Sequence, residues 1–331
     1  MKTLTPKLLC LMLLPVLLAG CRKHEAAKAD EESPSCSYMY YDTENAVYHW
    51  KTTFSPDSFD LYFLNRHNVR TIYMRMFDIA TETDPLTGYS RVVPIATTRF
   101  LKPVPEHTNV IPTTYITTNP LREMRGKEEE FANLIVERLT AMHAYNSCGL
   151  LREIQFDCDW TPTTRASYAT LCQHARELLD PKEVRLSITL RLHQLDEEAP
   201  PADRAVLMLY NTGRLKEKDT RNSILDVDDV TPYLKQCGNY ALPLSYAYPL
   251  FGWGVMFRDG KFVSIVAEDS AGTSANEHIR TERATAREIM EVKALVEKHL
   301  GKAQDRTVLY HLDQSQLNHY TDEEIQSIYY D

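Results

Sequence analysis

Short apolar runs alternate along the chain with segments whose apolar side chains recur every third or fourth position, the two periods of strand and helix. The spacing predicts strands over residues 47–54, 71–78, 92–100, 110–117, 151–159, 183–192, 205–211, 242–248, 254–257 and 307–312. Between them it predicts helices over 56–68, 127–145, 163–179, 228–237 and 284–300, the second carrying Phe131, Leu134, Ile135, Leu139 and Met142 on one face. Strands interleaved with helices make a parallel sheet covered by helices, so the fold class is α/β. These ten runs in about 290 residues come near the eight strands of a single-domain (β/α)8 TIM-like barrel. A doubly wound nucleotide-binding sheet is disfavoured, because no glycine-rich phosphate loop follows the first strand. The barrel domain is read as residues 36–331.

The first residues break this pattern. Lys2 and Lys7 precede an apolar stretch, residues 8–19, too short to span a bilayer, which needs about 20 helical residues. The stretch ends in Leu18-Ala19-Gly20-Cys21, which resembles the bacterial lipobox, in which the cysteine thiol takes a diacylglycerol. The resemblance implies a signal peptide over 1–20 and a lipid-bearing mature N-terminus at Cys21. The expected location is the bacterial cell envelope, the outer membrane preferred, facing the periplasm or the surface. Residues 21–35, polar and rich in Ala, Glu and Ser, read as a flexible tether.

Charge narrows the partners. Lys and Arg total 37 against 46 Asp and Glu, and loss of Lys2 and Lys7 would take the net charge from −9 to −11. No basic surplus exists to neutralise a nucleic-acid backbone, so nucleic acid is not an expected partner. Beyond Cys21 the cysteines stand at 36, 148, 158, 172 and 237, without a Cys-x-x-Cys pair or a Cys/His metal spacing. Neither a metal nor a cofactor is expected. The chain also lacks a Gly-x-Ser-x-Gly elbow, a His-Glu-x-x-His pair and a Walker loop.

In a barrel of this kind the chemistry sits at the C-terminal ends of the strands. The most informative end is Ile154-Gln-Phe-Asp157-Cys-Asp159-Trp160-Thr161, an apolar strand closing on two carboxylates two residues apart. Alternate residues share a face, so both carboxylates are expected to point into the barrel. The bland alternative has them capping the next helix at Thr163 or Thr164 and binding a nearby arginine. Asp78 ends another strand, as a catalytic carboxylate or the ion-pair partner of Arg75 or Arg99.

Asp157-Cys-Asp159-Trp160 resembles the Asp-x-Asp-x-Glu pattern that ends the fourth strand in glycoside hydrolase family 18, the chitinase-like barrels. Met208-Leu209-Tyr210-Asn211 resembles the Met-x-Tyr-Asp of that family's sixth strand, in the correct order along the chain. The resemblance covers about a tenth of the chain. It implies that Asp159 holds an acetamido group with Asp157 beneath it, that Tyr210 donates a hydrogen bond and that Asn211 makes a polar contact. Where the family's general acid is Glu, this chain has Thr161, which cannot supply a proton near neutral pH. Either the protein binds glycans without cutting them, or another carboxylate such as Asp78 takes the acid's place.

Further ligand contacts are expected from Trp160, from Arg191 and His193 after the strand over 183–192, and from Tyr248 and Trp253, whose flat rings suit pyranose faces. The function read from the sequence is a membrane-anchored envelope lipoprotein with a glycosidase-like barrel that binds a glycan or another small polar ligand. An active glycoside hydrolase and a non-glycan scaffolding lipoprotein are the alternatives.

Overall fold

The structure, a computed structural model, describes residues 44–331 apart from 237 and 273. The expected signal peptide, tether and lipidated Cys21, and also Cys36 and Cys237, lie outside the described residues.

Eight parallel strands close on themselves: β1 (Glu44–His49), β2 (Val69–Thr83), β3 (Asn109–Ile116), β4 (Glu153–Cys158), β5 (Arg185–Leu190), β6 (Arg204–Met208), β7 (Leu244–Pro249) and β8 (Arg306–Tyr310). Pairing of β1 with both β8 and β2 seals the barrel. Every residue of β4 and of β7 is buried, as expected of strands covered on both faces. Helices Ser58–Arg66, Glu128–Tyr145, Arg165–Leu179, Val227–Gln236, Ala286–Leu300 and Asp322–Tyr330 form the outer layer. Their starts are fixed locally: Asp57 accepts from the backbone N–H of Phe59 at 2.8 Å and of Asp60 at 3.1 Å, and Thr285 and Thr321 cap later helices in the same way.

The single (β/α)8 barrel expected from the sequence is present, with three departures. The run at 92–100 is not a barrel strand: Ser90–Ile95 folds back antiparallel on β2, so the β2–β3 connection is a hairpin where a helix would stand. The run at 254–257 belongs to a separate antiparallel sheet of Gly252–Arg258, Lys261–Val266 and Glu277–Arg283, inserted between β7 and its helix. The β5–β6 connection carries one 3-10 turn, Leu192–Gln194. An antiparallel strand with one solvated face alternates apolar and polar residues much as a barrel strand does, which is why the sequence pattern merged these classes.

Side-chain alternation sorts each strand into an inner and an outer set. Tyr48 on β1 donates across the barrel to Gln155 on β4 at 2.9 Å, so both point inward. Below them, at the N-terminal end, Arg306 donates to Glu153 at 2.9 Å, to Tyr73 at 3.0 Å and to Glu44 at 3.1 Å. This buried polar cluster fills the bottom of the barrel. Among the described residues, Cys148, Cys158 and Cys172 are buried free thiols, and no helix is long and apolar enough to cross a membrane.

Candidate functional site

At the C-terminal end of the barrel the inward set becomes a charged and aromatic layer. Asp157 on β4 is 3% exposed. Its Oδ1 accepts from Thr189 at 2.6 Å and from the Arg191 guanidinium at 2.9 Å, both reaching over from β5 and its end. Burial opposes the Arg191 charge, but Asp157 together with Tyr210 and Asp159 leaves its pKa raised, so the guanidinium stays protonated. Asp157 is thereby a fixed, neutralised anion in the wall of the site. The bland alternative is half met for this carboxylate: it is bound to an arginine and does not cap the next helix.

Asp159 lies one inward step further out and is free of that pair. His193 Nε2 stands 3.3 Å from its Oδ1, and the two side chains are 49% and 52% exposed. The contact with His193, with Arg191 nearby, holds the Asp159 pKa below the ordinary carboxylate value despite partial burial. Tyr115, Asp159, Arg191, His193, Met208, Tyr210 and Asn211 line one open cleft of about 350 Å³, completed by Leu192, Thr212 and Tyr233. Tyr210 is 8% exposed, and its buried hydroxyl has no hydrogen-bond partner among the described residues. Burial raises the pKa of Tyr210 and of Tyr115, with the Asp157 charge adding to it, so both phenols remain neutral donors.

Beside the cleft runs a chain of aromatic rings. Tyr310, the last residue of β8, meets Trp50 at 5.9 Å, Tyr210 at 4.9 Å and Phe251 at 5.6 Å between ring centroids. Phe251 meets Trp253 at 5.2 Å. Trp253 sits on the inserted sheet, where its indole N–H donates to the buried Glu282 at 2.8 Å. The glycines flanking it are required by close packing: a Cβ at Gly252 would fall 2.7 Å from Glu268, and one at Gly254 2.8 Å from Val266.

Other expected positions are elsewhere. Trp160 is 1% exposed and stacks on Tyr168 of the following helix, because it alternates with the inward Asp159 and so points out of the barrel. Tyr248 is fully buried; Ala247 pairs with the cleft residue Met208, which leaves Tyr248 on the outer face toward helix Ala286–Leu300. Neither ring can meet a ligand at the mouth. Asp78 is bound in a bidentate ion pair by Arg75, whose Nε donates to it at 2.7 Å, and it does not line the cleft. Thr161 opens the turn before helix Arg165–Leu179, its hydroxyl 3.0 Å from that of Thr163.

Sequence reasoning missed Tyr115, Tyr310 and Trp50, whereas of the two arginines it offered as partners of Asp78, Arg75 is the one that forms the pair. Tyr115 and Tyr310 stood at strand ends and were legible on that ground. Arg75 and Asp78 share a face only because β2 carries a bulge between Arg75 and Phe77, an irregularity that strand alternation does not reveal. Among the described residues no three His, Cys, Asp or Glu side chains come together in a way that could hold a metal ion.

The barrel is shared with solved glycosidase structures. A chitinase from Chromobacterium violaceum superposes with a TM-score of 0.54 at 13% identity, over 86% of this chain and 98% of its own. The spore cortex-lytic enzyme SleL of Bacillus megaterium gives 0.52 at 14% identity, over 87% and 74%. The Ostrinia furnacalis Group IV chitinase in complex with allosamidin gives 0.50 at 12%, over 87% and 98%. At such identities the likeness is one of fold. No family model matches the sequence, and no curated protein matches it.

Proposed function

We propose that this chain is a lipid-anchored protein of the bacterial envelope whose barrel mouth binds a glycan bearing N-acetyl groups, and that it lacks the usual catalytic glutamate, Thr161 standing in its place. The observation that carries this reading is the cleft itself. A half-exposed carboxylate, Asp159, and a buried unpaired phenol, Tyr210, face one opening beside the rings of Trp50, Tyr310, Phe251 and Trp253. Carboxylate, amide and phenol groups match the hydroxyl and acetamido groups of a sugar, and the flat rings match its apolar faces. The shared fold with chitinases supports the same ligand class.

Hydrolysis through Asp78 is the weaker alternative, because both of its oxygens are taken by Arg75 and the side chain does not line the cleft. The test measures binding and cleavage over a panel of N-acetylated and plain oligosaccharides, with wild type, Asp159→Ala and Trp253→Ala. Binding by the wild type that weakens in both variants supports the reading. Absence of any glycan binding moves the function to a scaffolding lipoprotein.

A further inference from the structure

With no glutamate at position 161, the cleft still contains one pair of side chains suited to moving a proton. Asp157 is committed to Arg191 and Thr189, and Asp78 to Arg75. Asp159 and His193 are the exposed carboxylate and the exposed imidazole of the lining, and they touch each other at 3.3 Å through His193 Nε2. A carboxylate on one ring nitrogen fixes the imidazole's orientation, leaving the other nitrogen to face a ligand. Around the pair stand Arg191 at the end of its own strand, Tyr115 from β3, Tyr210 after β6 and Tyr233 from helix Val227–Gln236, with Asp157 behind Arg191.

We infer that His193, oriented by Asp159, is the proton donor of a slow glycoside hydrolysis in this cleft. The inference rests on the glycan-binding reading and adds a residue and a reaction to it. In the step, the His193 imidazolium gives the proton on Nδ1 to the glycosidic oxygen. The bond from the anomeric carbon to that oxygen breaks, and its electron pair leaves with the alcohol. Water then adds to the anomeric carbon and returns a proton to the imidazole, so atoms and charge balance. Asp159 acts as a positioning residue for the ring.

The experiment uses the whole protein with two N-acetylglucosaminides, one an unactivated oligosaccharide and one with a 4-nitrophenyl leaving group, which departs without being protonated. Binding is measured separately by calorimetry. In His193→Gln, cleavage of the oligosaccharide should fall by about 10²–10⁴ while affinity stays within a few-fold, and the nitrophenyl substrate should lose far less. The alkaline limb of the wild-type pH profile should vanish in that variant, and Asp159→Asn should displace it. A wild type that binds the oligosaccharide but leaves it uncut overturns the inference and leaves the binding reading standing. Equal rates in His193→Gln and wild type, or equal losses on both substrates together with weaker binding, also overturn it. If no glycan binds, the binding reading falls first and this one with it.

Discussion

Arg191 reaches from the end of β5 to Asp157 on β4 at 2.9 Å, and the guanidinium thereby neutralises the most buried carboxylate of the mouth. Removing Arg191 leaves Asp157 buried with only the Thr189 hydroxyl as a side-chain partner. Arg191→Met should therefore lower unfolding stability by about 3–5 kcal/mol in urea titrations. The double variant Asp157→Asn/Arg191→Met should recover much of that loss, since no uncompensated charge remains. A double variant as unstable as the sum of the singles would show that the pair's worth lies in something other than mutual charge compensation.

Acid sensitivity should come from the outer side of the same strand ends. His49 follows Tyr48 on β1, His311 follows Tyr310, and burial depresses both imidazoles to about 4, each opposed further by nearby positive charge. The unfolded chain holds these protons from about pH 6.5 downward, whereas the folded chain refuses them until about 4. Stability is therefore full above pH 6.5 and declines as pH falls from about 6.5 to about 4, by roughly 3 kcal/mol per imidazole. Urea midpoints across that range should flatten in His49→Phe, whose ring can keep the edge contact with Phe54.

The barrel was legible because strand-like runs alternate with helical segments along the chain, and because helices such as Ala286–Leu300 keep an apolar stripe of Ile289, Val292 and Val296. The polar interior was not. Tyr48, Gln155 and Arg306 look like surface residues in sequence and are buried only because they satisfy one another across the barrel. Trp160 was placed on the wrong side although Asp159 already fixed its direction. Tyr248 depended on the pairing of β7 with β6, which sequence does not state.

Trp253 is held by Glu282, which also receives Ser223 and Arg280, so the ring is positioned before any ligand arrives. Trp253→Ala should weaken glycan binding about tenfold, the equivalent of about 1.4 kcal/mol, while the unfolding midpoint moves little. Trp253→Phe, which keeps a ring but not the indole N–H, should fall between. Calorimetric titration with a single oligosaccharide distinguishes these outcomes.

Cys21→Ser should move the protein from the membrane fraction to the soluble fraction of the envelope, as expected of a chain held by lipid on that cysteine. Retention of the variant in membranes after a carbonate wash would show that the anchor is something else.

The ion cluster of Arg306, Glu153, Tyr73 and Glu44 gives the barrel a floor. A channel open at both ends could thread a polymer along its axis, but a cup cannot. A long-chain ligand must therefore lie across the rim like a rod over a bowl, dipping one or two units inward, with both of its ends in solvent.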